Sequence, residues 1–182
     1  MPTTRSESNA LQQVRELNRA FLTYLKLRAV ERVDCLGLPV VARRALAAAE
    51  EVQLDAIAEF PRALFKLALD VGPSAGQVRD PVPEWLDSAR RAFHVTVAFG
   101  AWTLSRQSVY QSRLLLALDS HAIQRLRALP IGEVHRLAEA PNLVSCAFPA
   151  REWLWTDLLT ETRPEARRQL LLVALQPRLP SR

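Results

Sequence analysis

An all-α fold built from two related halves is what this sequence predicts, and three observations carry that expectation. Glycine supplies only 5 of the 182 residues. Val, Ile, Thr and the aromatic residues do not recur in alternating runs, whereas Ala, Leu and Arg fill long stretches, a composition that suits helices rather than strands. A shift of eighty positions lays Cys35–Pro61 on Leu115–Pro141 without a gap, giving eight identities in 27 positions: Leu36/Leu116, Leu38/Leu118, Ala42/Ala122, Leu46/Leu126, Ala48/Ala128, Ala58/Ala138, Glu59/Glu139 and Pro61/Pro141. Leu54/Val134 and Ile57/Leu137 keep the apolar character, while Val40/Ser120 breaks it. The pattern reads as a tandem duplication.

The duplication divides the chain into a first repeat over 8–70, a linker over 71–83, a second repeat over 84–148 and a helical extension with a basic tail over 149–182. In the first repeat, Ser6 or Ser8 can cap a helix from about Asn9 to Asp34, because a serine hydroxyl accepts from the first free amides. Leu11, Val14, Leu17, Phe21, Leu25 and Ala29 recur at three- and four-residue steps, so this helix carries one apolar stripe and needs a partner. Gly37 suits the left-handed turn that ends it, and Pro39 the opening of a second helix over 39–49. A third helix spans about 52–60 and stops at Pro61. Arg62–Asp70 reads equally as strand or helix.

Three prolines and two glycines in Val71–Pro83 mark the linker. Pro83 opens a helix that runs to about Leu118, with Glu84 and Asp87 at the positive end of its dipole. The β-branched run Phe93–Phe99 is the place where it would kink or break. Asp119 or Ser120 caps the next helix, Pro130 separates it from GEVHRLAEA, and Pro141 ends that segment as Pro61 ends its counterpart. Helices over Ala150–Thr160 and Glu165–Leu175 complete the chain before a basic tail.

Net charge is +5 with a pI of about 10, and 22 of the 24 basic residues are arginine, Lys26 and Lys66 being the exceptions. An anionic partner such as nucleic acid and a plain coding bias toward Arg, Ala and Leu account for this equally. The longest charge-free run, Ala92–Ser105, is 14 residues, too short for a bilayer span, and no secretory start precedes it, so a cytoplasmic protein is expected. Cys35 and Cys146 make neither a disulfide framework nor a CxxC site, and they do not fall at equivalent repeat positions. His94, His121 and His135 lack metal-ligand spacing, and no elbow or oxyanion motif accompanies Cys146. No catalytic residue, metal or cofactor is expected.

The text LRALPIGEVHRLAE, preceded by RLLLALDSHAIQ and followed by APNLVSCAF, resembles FlhD, a subunit of the bacterial heteromeric activator of flagellar and related genes. The resemblance rests on Ala128-Leu129, Leu137-Ala138-Glu139, Leu143-Val144 and, displaced by one place, Cys146; Leu36-Gly37-Leu38 and Ala58-Glu59 are similar in the first repeat. It implies an intertwined all-helical dimer, here folded as an intramolecular pseudo-dimer of two FlhD-like repeats. It also implies an FlhC-like regulator subunit as partner, with DNA bound as part of the complex, no membrane, and room for further self-association. The family's C-terminal arm has no counterpart after either repeat, and Ala117 stands where the first repeat has Gly37.

Arg43, Arg44, Arg125 and Arg127 are the candidate phosphate contacts, since a guanidinium fork matches phosphate oxygens, with a solvated helix face as the plainer reading. Arg163, Arg167, Arg168, Arg178 and Arg182 add a basic bias to the C-terminal part. Trp153 and Trp155 are the candidate partner-binding residues, the two C-terminal helices either packing back on the repeats or forming a partner surface. The expected function is a transcription-regulator subunit acting as a two-fold hub, with a structural adaptor of a secretion or flagellar system as the alternative.

Overall fold

The computed structural model describes residues 3–69, 83–148 and 152–161, together with 163, 165, 166, 169 and 170. The expected linker, apart from Pro83, lies outside these residues, as do the basic tail and most of the expected 165–175 helix. Among the described residues the order is α1 (Thr3–Val30), α2 (Val40–Ala48), α3 (Glu51–Ala58), β1 (Phe65–Leu67), α4 (Glu84–Gln107), α5 (Val109–Leu115), α6 (Ser120–Ala128), α7 (Ile131–Glu139), β2 (Val144–Cys146) and α8 (Glu152–Thr160). The chain is thus mostly helical, with one small two-stranded sheet among the described residues.

The eighty-residue shift reappears in the element bounds. Val40–Ala48 plus eighty is Ser120–Ala128, the span of α6, and Glu51 plus eighty is Ile131, the first residue of α7. α1 packs on α2 and α3, α4 packs on α6 and α7, and α1 lies against α4. The stripe Val14, Leu17, Phe21 and Leu25 is buried as the spacing requires, but Ala10 replaces Leu11, which is 38% exposed.

The two halves share one core. Phe21 and Tyr24 of α1 meet Phe93 of α4 at 6.0 and 4.9 Å between ring centres, and Phe21 also meets Phe65 of β1 at 5.6 Å. Aromatic pairs at these separations stabilise by about 0.5–1.5 kcal/mol beyond the area they bury. Leu17 packs so closely on Gly100 that a Cβ there would lie 2.7 Å from its Cδ2.

Within residues 62–69 the described backbone forms a short strand, Phe65–Leu67. β1 pairs antiparallel with β2, setting Phe65 opposite Cys146 and Leu67 opposite Val144. A two-stranded ladder is marginal by itself. Bonds from the flanking backbone reinforce it: Ala68 N donates to Leu143 O at 2.9 Å, Ala147 N to Leu64 O at 2.9 Å, Cys146 N to Leu36 O at 2.9 Å and Ala63 N to Leu115 O at 2.7 Å. No periodicity can mark a three-residue strand, because its partner is supplied from the other half of the chain.

Two other expectations are corrected. α4 passes through Phe93–Phe99 unbroken and ends instead at Gln107, where Ser108 turns extended and its Oγ accepts from Gln111 N to cap α5. Phe93, His94, Val97, Ala98 and Ala101 form one buried helical face, and its packing outweighs the weak preference of β-branched residues for other backbones. α1 in turn begins at Thr3 and ends at Val30, the chain then turning through Arg32 (φ 58°), Leu36 (φ 56°) and Gly37 (φ 83°).

Each long helix also satisfies the carbonyls at the ends of the helices that it supports. Asn18, fully buried, donates through Nδ2 to Phe60 O at 3.1 Å and Arg62 O at 2.9 Å, lies 3.4 Å from Ala58 O, and accepts from Leu64 N at 2.9 Å. In the second half His94 Nδ1 faces Ala138 O at 3.2 Å; the carbonyl only accepts, so that nitrogen carries the hydrogen. Lys26 Nζ donates to Ala49 O at 2.7 Å, and Trp102 Nε1 donates to Leu129 O at 3.0 Å.

Replacing Asn18 strands several backbone groups at once. Asn18→Ala is expected to lower unfolding stability by about 3 kcal/mol or more, read as the loss of urea midpoint at unchanged m-value. Ala117 holds the left-handed conformation (φ 57°) that Gly37 holds in the first half. Ala117→Gly is accordingly expected to raise stability by about 0.5–1 kcal/mol, the left-handed penalty exceeding the entropy that glycine adds to the unfolded chain. A lower melting temperature in that variant would contradict the assignment.

Candidate functional site

Helix positions fix where the four expected arginines stand. Arg43 and Arg44 follow one another on α2, but Arg43 turns back along the chain: Nε donates to Leu38 O at 3.1 Å and Nη2 pairs with Asp34 at 3.3 Å. It braces the turn between α1 and α2. Arg44 is exposed. On α6 both Arg127 and Arg125 are exposed, and Arg125 also reaches the strand side and donates through Nη2 to Leu69 O at 3.0 Å. The arginine pairs do not repeat. Eighty positions after Arg43 and Arg44 stand Ile123, which is buried, and Gln124; eighty before Arg125 and Arg127 stand Ala45 and Ala47. Arg163 pairs with Glu161 at 3.1 Å, and Arg167, Arg168, Arg178 and Arg182 lie outside the described residues.

Of the two expected docking tryptophans, Trp153 is 44% exposed, but Trp155 is a core residue. α8 packs on α2 and on α3, sinking Leu154, Trp155, Leu158 and Leu159. This corrects the expectation that both indoles face a partner. Four buried residues within six positions form one helical face, and such burial stabilises by about 1.5–3 kcal/mol per side chain, enough to seat a short helix. Among the described residues the Trp155 Nε1–H finds no hydrogen-bond partner of ordinary geometry, although it lies close enough to the Cys146 sulfur to favour the thiolate.

On the second half, α6 and α7 leave a groove of about 230 Å³. Leu126, Leu129, Leu137 and Ala140 line it together with Leu69, and Arg125, Arg136 and Glu133 bring charge to it. Arg136 pairs with Glu133 at 2.9 Å, one turn apart on α7, in a largely exposed bridge worth a few tenths of a kcal/mol. Reading for catalytic and phosphate motifs passes over Leu129, Arg136 and Leu137. The signal that marks them is the shift itself, which replaces Ala45, Ala49 and Ala56 by Arg125, Leu129 and Arg136 along one face.

His121 and His135 are exposed, and the His135 ring meets Phe99 edge-on at 4.8 Å. No three His, Cys, Asp or Glu side chains among the described residues come together as a metal site, and no helix among them is long and apolar enough to cross a membrane.

Cys35 and Cys146 are both free and buried. Burial pushes the Cys146 thiol up to about 12, against the weaker opposing pull of the Phe148 backbone and the Trp155 indole. The folded state therefore holds this proton at alkaline pH where the unfolded chain releases it. That contribution is complete below the ordinary thiol value of about 9 and is lost as pH rises toward 12. Urea midpoints measured from pH 8 to 11 are expected to fall with pH, and to fall less steeply in Cys146→Ala; equal slopes would refute a buried neutral thiol.

Compared with family models, with curated proteins and with solved structures, the chain returns no match.

Proposed function

We propose that this chain is a non-enzymatic, cytoplasmic subunit of a transcription regulator of the FlhD-like kind. It works as a preformed two-fold hub that positions an FlhC-like DNA-binding partner. The observation that carries the reading is the agreement between α2 and α6, and between the starts of α3 and α7, at one constant shift, joined by antiparallel β1 and β2. An antiparallel pair is the backbone contact that a two-fold axis produces between like segments. A body of that symmetry suits paired DNA-binding subunits on spaced half-sites, while the hub itself sets distance and orientation.

Arg44, Arg125 and Arg127 are the exposed members of the arginine set, and Arg44 and Arg127 supply phosphate contacts that add affinity without reading sequence. Arg43 and Arg125 contribute less, because each already serves backbone carbonyls of its own chain.

Fluorescence anisotropy with a labelled duplex tests the proposal at about 150 mM salt. The isolated chain is expected to show no sequence preference, whereas the chain with an FlhC-like subunit binds specifically. The double variant Arg44→Glu, Arg127→Glu is expected to weaken that complex about three- to tenfold across all sequences and to flatten its salt dependence. Sequence-specific binding by the chain alone would move the reading role onto it. A complex with the partner that never engages DNA would make the chain a structural adaptor.

A further inference from the structure

The two halves differ most in what lies over their second and third helices. In the first half α8 closes on α2 and α3, and Ala49, Ile57 and Phe60 are 4%, 0% and 2% exposed. Their counterparts at plus eighty, Leu129, Leu137 and Ala140, are only half-buried and line the open groove. Two substitutions separate the faces further: Ala45 becomes Arg125 and Ala56 becomes Arg136, so the second groove has an apolar floor with two guanidinium groups beside it. Glu133 is the carboxylate at the same groove, paired with Arg136.

We propose that the α6–α7 groove is a seat for one amphipathic helix of a partner protein, with leucine or tryptophan side chains on one face and carboxylates at its edge. The intramolecular precedent is α8, which presents such a face to the corresponding helices and carries Asp157 beside it. Charge supplies the second argument. A carboxylate on the incoming helix finds the Arg136 side chain, which is 76% exposed, and competes for it with Glu133, whose side chain is 39% exposed. This goes beyond the regulator reading, since the seat exists whether or not the partner touches DNA.

The test uses the full chain and two fluorescein-labelled, end-capped peptides: EWLWTDLLT, the α8 sequence, and the same peptide carrying Thr156→Glu and Thr160→Glu. Both are expected to bind in the micromolar range, the acidic peptide about tenfold tighter, with that advantage shrinking in salt. Leu137→Arg is expected to abolish binding, and the surface pair Arg125→Glu, Arg136→Glu to remove the acidic peptide's advantage while leaving the thermal melt within a few degrees of wild type. Binding that survives both variants would place the peptides in the α8 seat and overturn the proposal, as would no binding of either peptide at about 100 μM. Truncation after Leu170 that tightens binding tenfold would show the chain's own C-terminal residues to be the occupant. Concentration-dependent dimerisation abolished by Leu137→Arg would show a second copy there. Either result overturns the assignment to a partner protein.

Discussion

The structure depends on the closeness with which the two halves hold each other. Neither long helix can bury its apolar stripe alone: Val14, Leu17 and Phe21 of α1 and Phe93, Val97 and Ala101 of α4 reach zero or near-zero exposure together in one shared core. At Gly100 the two helices come close, because the missing Cβ makes room for the Leu17 side chain. The backbone closes the same contact from the other side. Cys146 N donates to Leu36 O, and Ala63 N donates to Leu115 O, so the turn of each half is completed by a strand region of the other. Removing either half would expose carbonyls as well as leucines, and the carbonyls are the costlier loss per atom.

A second regularity shows what the shift preserves. The acceptors recur eighty positions apart, Ala49 O with Leu129 O and Ala58 O with Ala138 O, but the donors do not. Eighty after Lys26 comes Arg106, and the donor is Trp102; eighty after Asn18 comes Ala98, and the donor is His94. In both cases the second-half donor stands four residues earlier, one turn back on the same helix face. The physical requirement is that the last carbonyls of a short helix find a donor. Any side chain of sufficient reach meets it, which explains how the halves keep a common shape while sharing few polar residues.

Much of this was legible in the chain, and the failures have distinct causes. Helices α2, α3, α6 and α7 are punctuated by Pro39, Pro61, Pro130 and Pro141, and local chemistry of that kind survives in any context. β1 was not legible, because its pairing with β2 is a long-range fact. The β-branched stretch in α4 misled in the opposite direction: propensity argued for a break, and burial against α1 and α7 decided for continuity. Ser108, an ordinary capping residue, marked the true end. The arginines of the candidate site stand on α2 and α6, but the partner of Arg43 is Asp34 in the preceding turn, and spacing in the sequence does not show such a fold-back. Trp155 and Trp153 look alike as nearby indoles in the sequence, but two positions on a helix are about 200° apart in direction, which sends one ring to the core and the other to solvent.

Holding both halves on one polypeptide lets each diverge without disturbing the other, which identical subunits cannot do. The differences are consistent with what packs where. In the first half α8 packs on α2 and α3, and the positions of those helices that correspond to the second groove carry Ala45, Ala49 and Ala56, small enough for a helix to approach closely. At the same three places in the second half stand Arg125, Leu129 and Arg136, which would hold such a helix farther off but offer more apolar area and a charge to anchor it. A helix that belongs to the same chain needs no anchor, because its loss of translational freedom is already met by the covalent connection. One arriving from solution must offset that entropy with additional contact and charge. The two faces differ in the direction that this contrast requires.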